Sequence, residues 1–273
     1  MLHLLQYTFF QNALLAGVLA AVLCAMIGTY VVTRRLVFVS GGIAHASLGG
    51  VGLGALLGFP PMLGAAGFAL FSGWGIQWLG RRSNVREDSA IAMLWTLGMS
   101  IGVLCAYAAE GFMADLPSYL FGNILAVGRT DLWALGVLTV VVALLFSMRL
   151  QAIVTLAYDA DFARTQGLHV GRLETVLTAL TVLTIVCCLH IAGIVMVISL
   201  LSVPQMTAAL FARSFGQMVC GSVVFGLLSF LLGLALSCLF DVPSGASIIL
   251  CAIVIYFVCK AIKSKIPVFH SNK

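Results

Sequence analysis

Five histidines and nine side-chain carboxylates are spread along this 273-residue chain. His45 stands apart among them. His3, His169 and His270 fall in terminal or loop positions, and His190 lies near the outer end of an apolar run. His45 sits inside Ser40-Gly41-Gly42-Ile43-Ala44-His45-Ala46-Ser47-Leu48-Gly49-Gly50-Val51-Gly52-Leu53-Gly54. An ionisable group at such depth in a hydrophobic stretch usually faces a cavity and marks a path. The other reading is a histidine capped by a neighbouring carbonyl in a tight helix contact, and the residues leave both open. Ser40 and Ser47 are the nearest hydroxyls in sequence. Gly49, Gly50, Gly52 and Gly54 present no side chain and let helices approach closely.

Three further segments mix polar and apolar residues. Arg86-Glu87-Asp88-Ser89-Ala90-Ile91-Ala92 opens a long apolar run. Glu87, Asp88 and Ser89 suit a helix N-terminus, where acids meet the positive end of the dipole and Asp or Ser caps free N–H groups. Asp115-Leu116-Pro117-Ser118-Tyr119-Leu120-Phe121-Gly122-Asn123-Ile124-Leu125 has the character of a re-entrant or interfacial helix. Tyr158-Asp159-Ala160-Asp161-Phe162-Ala163-Arg164-Thr165-Gln166-Gly167-Leu168 reads as a short helix capped by Asp159 and ended by Gly167. Its exposed Phe162 among charges suits docking into a partner; a helix lying on lipid headgroups is the alternative.

The elements that position these segments follow from composition. Hydrophobic residues make up 62% of the chain and charged residues 8%, against roughly 25% charged in an average soluble domain. Lipid can solvate that much apolar surface. Spans of about 20 apolar residues cross a hydrocarbon core of roughly 30 Å, provided every backbone group is satisfied internally. Long unbroken apolar runs, such as Leu132–Phe146 and Ile248–Val258, indicate helices rather than the alternation of a barrel. The expected fold is all-α and polytopic.

Basic residues favour the cytoplasmic side. Placing Arg34–Arg35, Arg81–Arg86, Arg149–Arg172, Arg213 and Lys260–Lys273 there leaves Arg129 alone outside. An opening span near 6–32 is then followed by four pairs. These turn at Phe59-Pro60-Pro61, in an outer loop at Glu110–Asp131, near His190–Gly193 and at Asp241–Gly245. The expectation is nine helices in a single domain spanning 1–273, with the N-terminus outside and the C-terminus cytoplasmic.

No P-loop appears, so work against a gradient draws on a partner or on ion coupling. The eight cysteines lie mostly inside apolar runs and read as packing residues, without a metal-knuckle spacing. The opening apolar stretch lacks a basic flank and reads as a retained span rather than a cleaved signal. Nothing points to nucleic acid; the surroundings are membrane lipid.

In this order and spacing, the segments resemble the membrane permeases of bacterial ATP-binding-cassette importers for zinc, manganese and iron. The matching stretches are Gly41 to Ala46, Glu87-Asp88-Ser89-Ala90-Ile91, Asp115 to Asn123, Tyr158 to Gly167, and Val195 to Pro204 followed by Thr207-Ala208. The resemblance covers roughly residues 10–260. It implies two paired permeases around a path, two ATP-binding subunits beneath, and an extracytoplasmic solute-binding protein. ATP is bound by the partner; no cofactor is implied on this chain, and the metal ion is cargo. Tyr158, Asp159, Asp161, Phe162, Arg164 and Gly167 then match the helix that couples to the ATPase.

Ala92 stands where the family usually has Gly, and one further departure bears on the site. The family usually has Asp four residues before the histidine, one turn away on the same helix face; here that residue is Gly41. His45 is then expected to act with Ser40, Ser47 or its copy in a second subunit, and His190 is a secondary candidate ligand. Three rivals are weighed. Chelate permeases run longer. An ion-coupled transporter calls for acids inside spans, whereas most carboxylates here lie in loops or at span ends. An intramembrane zinc protease needs an HExxH motif, which is absent.

Overall fold

The computed structural model describes residues 6–82, 86–109, 119, 120, 122, 124 and 127–265. Ten helices carry them: α1 Thr8–Thr33, α2 Val37–Leu57, α3 Pro61–Arg82, α4 Glu87–Ala108, α5 Arg129–Tyr158, α6 Ala160–Thr165, α7 Val170–Leu200, α8 Val203–Ala209, α9 Phe215–Phe240 and α10 Ser244–Lys265. No strand occurs among the described residues. Most of the segment Asp115–Leu125 lies outside them.

The turns fall where the sequence punctuates the chain. Gly58 ends α2 in the left-handed region at φ 76°, and Pro61 opens α3, where its missing N–H costs nothing. Asp241, at φ 53°, ends α9 before the short link to α10. Within the spans, hydroxyls are satisfied by carbonyls one turn back. Thr29 donates to Ala25 O, Thr139 to Leu135 O, Thr184 to Leu180 O and Ser222 to Met218 O, at 2.6–2.8 Å.

α7 contains a reversal. Gly193 has φ 73° and ψ 163°, which no α-helix accommodates. Cys24 on α1 reports the geometry: its Sγ lies 4.0 Å from Cys188 Sγ, and its carbonyl accepts from Gln205 Nε2 at 2.8 Å. In a straight helix those 17 residues would separate the two partners by roughly 25 Å. The chain therefore folds back at Gly193. Val170–Leu189 and Ile191–Ala209 are separate spanning segments, the second running through α8.

Among the described residues, eight segments are long and apolar enough to cross a membrane. The less apolar α3, at 22 residues, is a ninth helix of spanning length. The expected turn near His190–Gly193 is present, and the expectation of nine helices is close to these eight spans and one further long helix among the described residues. Arg34 and Glu174 meet at one end of the bundle, where Gly80 and Glu87 border the same cavity. Lys263 donates to the carbonyl of Leu210. Asn12 and Val127 meet on the other side of the span, 3.5 Å apart. Most of the described charged residues thus lie toward a basic end, with Arg129, Asp131 and Asp241 at the other.

Burial sorts the helices. In α1 and α2, 72% of the spanning window is inside the protein, against 28% in α5 and 22% in α10. The exposed faces of α5 and α10 carry Val137, Val140, Leu144, Val254 and Phe257. That is a surface for lipid, with α1 and α2 as the protein's interior.

Candidate transport site

α2 reaches its neighbours through glycine. A Cβ at Gly49 would stand 2.8 Å from Gly98 O, and one at Gly52 would stand 2.5 Å from Gly102 O, both on α4. Gly50 meets the carbonyl of Gly64 on α3 even more closely, and Gly54 lies against Pro61. Backbones touch along these seams, which only residues without side chains permit. The four glycines singled out by sequence all lie at these close approaches.

Farther along the α2–α4 seam stands His45. Its ring stacks on Trp95 of α4, with centroids 4.4 Å apart and planes 8° from parallel. Trp95 is held from behind: its Nε1 donates to Met99 Sδ at 3.1 Å. Phe38, two turns before His45, packs against the same indole at 6.0 Å. His45 is half-buried, and its Nδ1 is buried with no hydrogen-bond partner in the protein. A ring nitrogen buried without a partner leaves hydrogen-bonding capacity of this imidazole unmet.

Gly41 shares the His45 face, one turn earlier. The nearest atom to a Cβ built there is Ile198 Cδ1 at 3.8 Å, an ordinary contact. Gly41 borders an open, largely apolar recess of about 570 Å³, walled also by Phe38, Trp95, Ile198 and Met206. Ser40 and Ser47 are buried and turn to their own helix: Ser40 Oγ donates to Val37 O at 2.8 Å, and Ser47 Oγ to Ala44 O at 2.6 Å. Five and two residues from His45, they fall on other faces of α2. The structure therefore brings Gly41, Trp95 and Phe38 to His45, and not the two serines. His190 precedes the Gly193 reversal by three residues, and its side chain is outside the described set. Among the described residues, no three His, Cys, Asp or Glu side chains cluster to hold a metal ion.

At the basic end, Glu87 and Asp88 occupy the first turn of α4, where their charge meets the helix dipole. The cap position itself is Arg86, and no side chain caps it. Asp88 lies 3.5 Å from Arg86, and both are exposed. Ser89 follows, also exposed.

The segment Tyr158–Leu168 folds as the short helix α6. Asp159 Oδ1 accepts from the backbone N–H of Asp161 and Phe162, both at 2.9 Å. Asp161 pairs with Arg164 at 2.7 Å. Gly167 turns the chain out at φ 76°. Ala163 is fully buried, while Tyr158 and Phe162 are 66% and 53% exposed. A buried small residue beneath an exposed aromatic presents an anchor outward. Beside it, α5 departs from helical geometry at Arg149 (φ −123°, ψ 21°). An open recess of about 730 Å³ lies between Arg149 and Phe162.

Sequence reasoning did not find Trp95, Met99, the Arg34–Glu174 ion pair or Gln205. Trp95 lies eight residues beyond Glu87, but no spacing in the chain pairs it with His45.

The family model "ABC 3 transport family" matches residues 6–263. A Synechocystis protein named only as an uncharacterised membrane protein is 38% identical, over 96% of this chain and 94% of that protein. The manganese transport system membrane protein MntC of Halalkalibacterium halodurans is 33% identical, over 92% of this chain and 86% of its own length. Among solved structures, PsaBC from Streptococcus pneumoniae, in complex with a Fab, superposes with a TM-score of 0.85 at 28% identity, covering 94% of this chain and 92% of that one. With a match that runs from the opening span through α10, the chain belongs to the ABC 3 transport family and is a membrane permease subunit, not an enzyme.

Proposed function

We propose that this permease moves a divalent transition-metal ion, manganese ahead of zinc and iron, through the cytoplasmic membrane toward the cytoplasm. The basic end faces the cytoplasm, as the positive-inside rule requires. Two permeases pair around the path, two ATP-binding subunits dock beneath them, and an extracytoplasmic binding protein delivers the ion. The chain acts as one domain. The name of the Halalkalibacterium relative supports manganese.

The observation that carries the reading is His45. A bare divalent ion in hydrocarbon is prohibitively costly, tens of kcal/mol by ideal Born estimates, so the path must offer ligands at membrane depth. His45 supplies a half-buried imidazole whose Nδ1 has no partner. Imidazole suits several first-row metals, and oxygen ligands suit manganese. Two copies of His45, with water or a second polar group, would give the ion a transient station.

The test is uptake of radioactive manganese, zinc and iron by vesicles holding the assembled transporter. Manganese should accumulate only with ATP inside, and His45→Ala should reduce it to background at native recovery of the chain. Uptake driven by an ion gradient without ATP would overturn the importer reading. Native transport by His45→Ala would make the histidine a packing residue.

A further inference from the structure

Arg34 closes α1 and stands three residues before α2, the helix of Gly41 and His45. Glu174 stands in the opening turns of α7, nine residues after the end of α6. Arg34 Nη2 donates to Glu174 Oε1 at 2.8 Å, with 25% and 13% of the two side chains exposed. The pair thus joins helices that are 140 residues apart in the chain.

Both sides of this bridge are short and ordered. From α6, Leu168 N donates back to Ala163 O at 3.1 Å and Val170 N to Leu168 O at 2.8 Å, so the link to α7 is a tight turn. Leu168 itself packs against the core. From α1, Leu36 N donates to Val31 O at 2.8 Å and Ser40 N to Leu36 O at 3.0 Å, with Arg35 left-handed at φ 60°. A displacement of α6 therefore has a short path to Glu174, and one of Arg34 a short path to α2.

The pair borders a cavity of about 210 Å³ that Tyr30, Gln77, Glu87 and Thr178 also line. Arg34 Nε is buried with no hydrogen-bond partner. The guanidinium thus keeps a donor in reserve, and a carboxylate from the first turn of α4 lines the same space. Partly buried ion pairs contribute little to net stability, but they fix register and break expensively when one partner is lost.

We infer that Arg34 and Glu174 form a positioning clasp that carries displacement of α6 to α2, with Glu87 as a second carboxylate that Arg34 engages when the helices shift. The inference rests on the reading of α6 as the seat of the ATPase.

The experiment compares Arg34→Ala, Glu174→Gln and the reversed pair Arg34→Glu with Glu174→Arg, each assembled with the ATPase in vesicles. Manganese uptake per ATP hydrolysed should fall about tenfold in each single variant, within the usual span of coupling between sites, while hydrolysis changes by less than about twofold. The reversed pair should recover most of the lost ratio. An unchanged ratio in both single variants overturns the clasp. So does a reversed pair no better than the single variants, or a loss confined to recovery of folded chain. Phe162→Ala should shed the ATPase, whereas Glu174→Gln should retain it. If Glu174→Gln sheds it too, the pair belongs to docking and the clasp is wrong. If Phe162→Ala retains it while the ratio still falls in the single variants, the docking reading fails, and the clasp fails with it as a link from α6.

Discussion

The imidazole of His45 on α2 lies flat against the indole of Trp95 on α4, 4.4 Å between centroids. The indole is in turn held by Met99, so the imidazole's orientation is set by a neighbour that is itself fixed. Trp95→Ala should leave the ring free to turn. Loss of an aromatic pair worth ~1 kcal/mol corresponds to about a fivefold rise in the manganese concentration for half-maximal uptake. Trp95→Phe keeps a stacking partner and should stay near native. Initial uptake rates against concentration would decide this, and identical curves for all three proteins would reduce the stack to packing.

Gly41 leaves room beside His45, with Ile198 Cδ1 3.8 Å from a Cβ built there. Gly41→Asp should place a carboxylate one turn from the imidazole. An added charged ligand should tighten metal binding by roughly tenfold, the low end for an added charge-assisted contact. Release, and hence turnover, should slow. Calorimetry on the purified transporter measures the first effect and vesicle uptake the second. Unchanged binding would mean that this face does not line the path.

Gly50 faces the carbonyl of Gly64 with no space for a side chain. Gly50→Val forces two backbones apart and should cost at least about 2 kcal/mol, in the range of core overpacking. Gly67→Ala, at an α3 position with nothing within 4 Å of the added carbon, is the control. Thermal unfolding monitored by size-exclusion recovery separates them, and equal melting would refute the seam.

Phe162 is an exposed aromatic on a capped, ion-paired helix. If it anchors the ATPase, Phe162→Ala should weaken the complex by about 2 kcal/mol, as interface hot spots do. Co-purification yield reads this directly. Full recovery of the ATPase with the variant would remove α6 from the interface.

Orientation is open to chemical labelling. In a cysteine-free background, Ser264→Cys at the basic end should react with an impermeant maleimide only after the membrane is opened. Val242→Cys, exposed in the turn after α9, should react in intact cells. The opposite pattern would invert the topology.

The spans were readable because their ends are punctuated. Gly58, Pro60 and Pro61 mark one hairpin, and Gly193 marks the reversal inside α7. The faces of the spans were not readable. A helix apolar all round carries no stripe to say which side is buried, so nothing in the sequence aims Trp95 at His45 or Arg34 at Glu174. Sequence neighbourhood put Ser40 and Ser47 beside His45, whereas the rotation of about 100° per residue carries both away and brings Gly41 close. A serine in lipid also has a ready acceptor in its own helix, as Val37 and Ala44 provide here.

Gln205 has a consequence for how the chain is made. Its fully buried amide donates to Cys24 O and Leu200 O. The approach to Cys24 O passes over Gly28, where a methyl group would come within 2.5 Å of Gln205 Nε2. An amide entering lipid with no acceptor is penalised by several kcal/mol. α1 leaves the ribosome well before α8, so its bared carbonyl is already in the bilayer when Gln205 arrives. The early helix thus already carries one of the two acceptors that the late helix's glutamine requires.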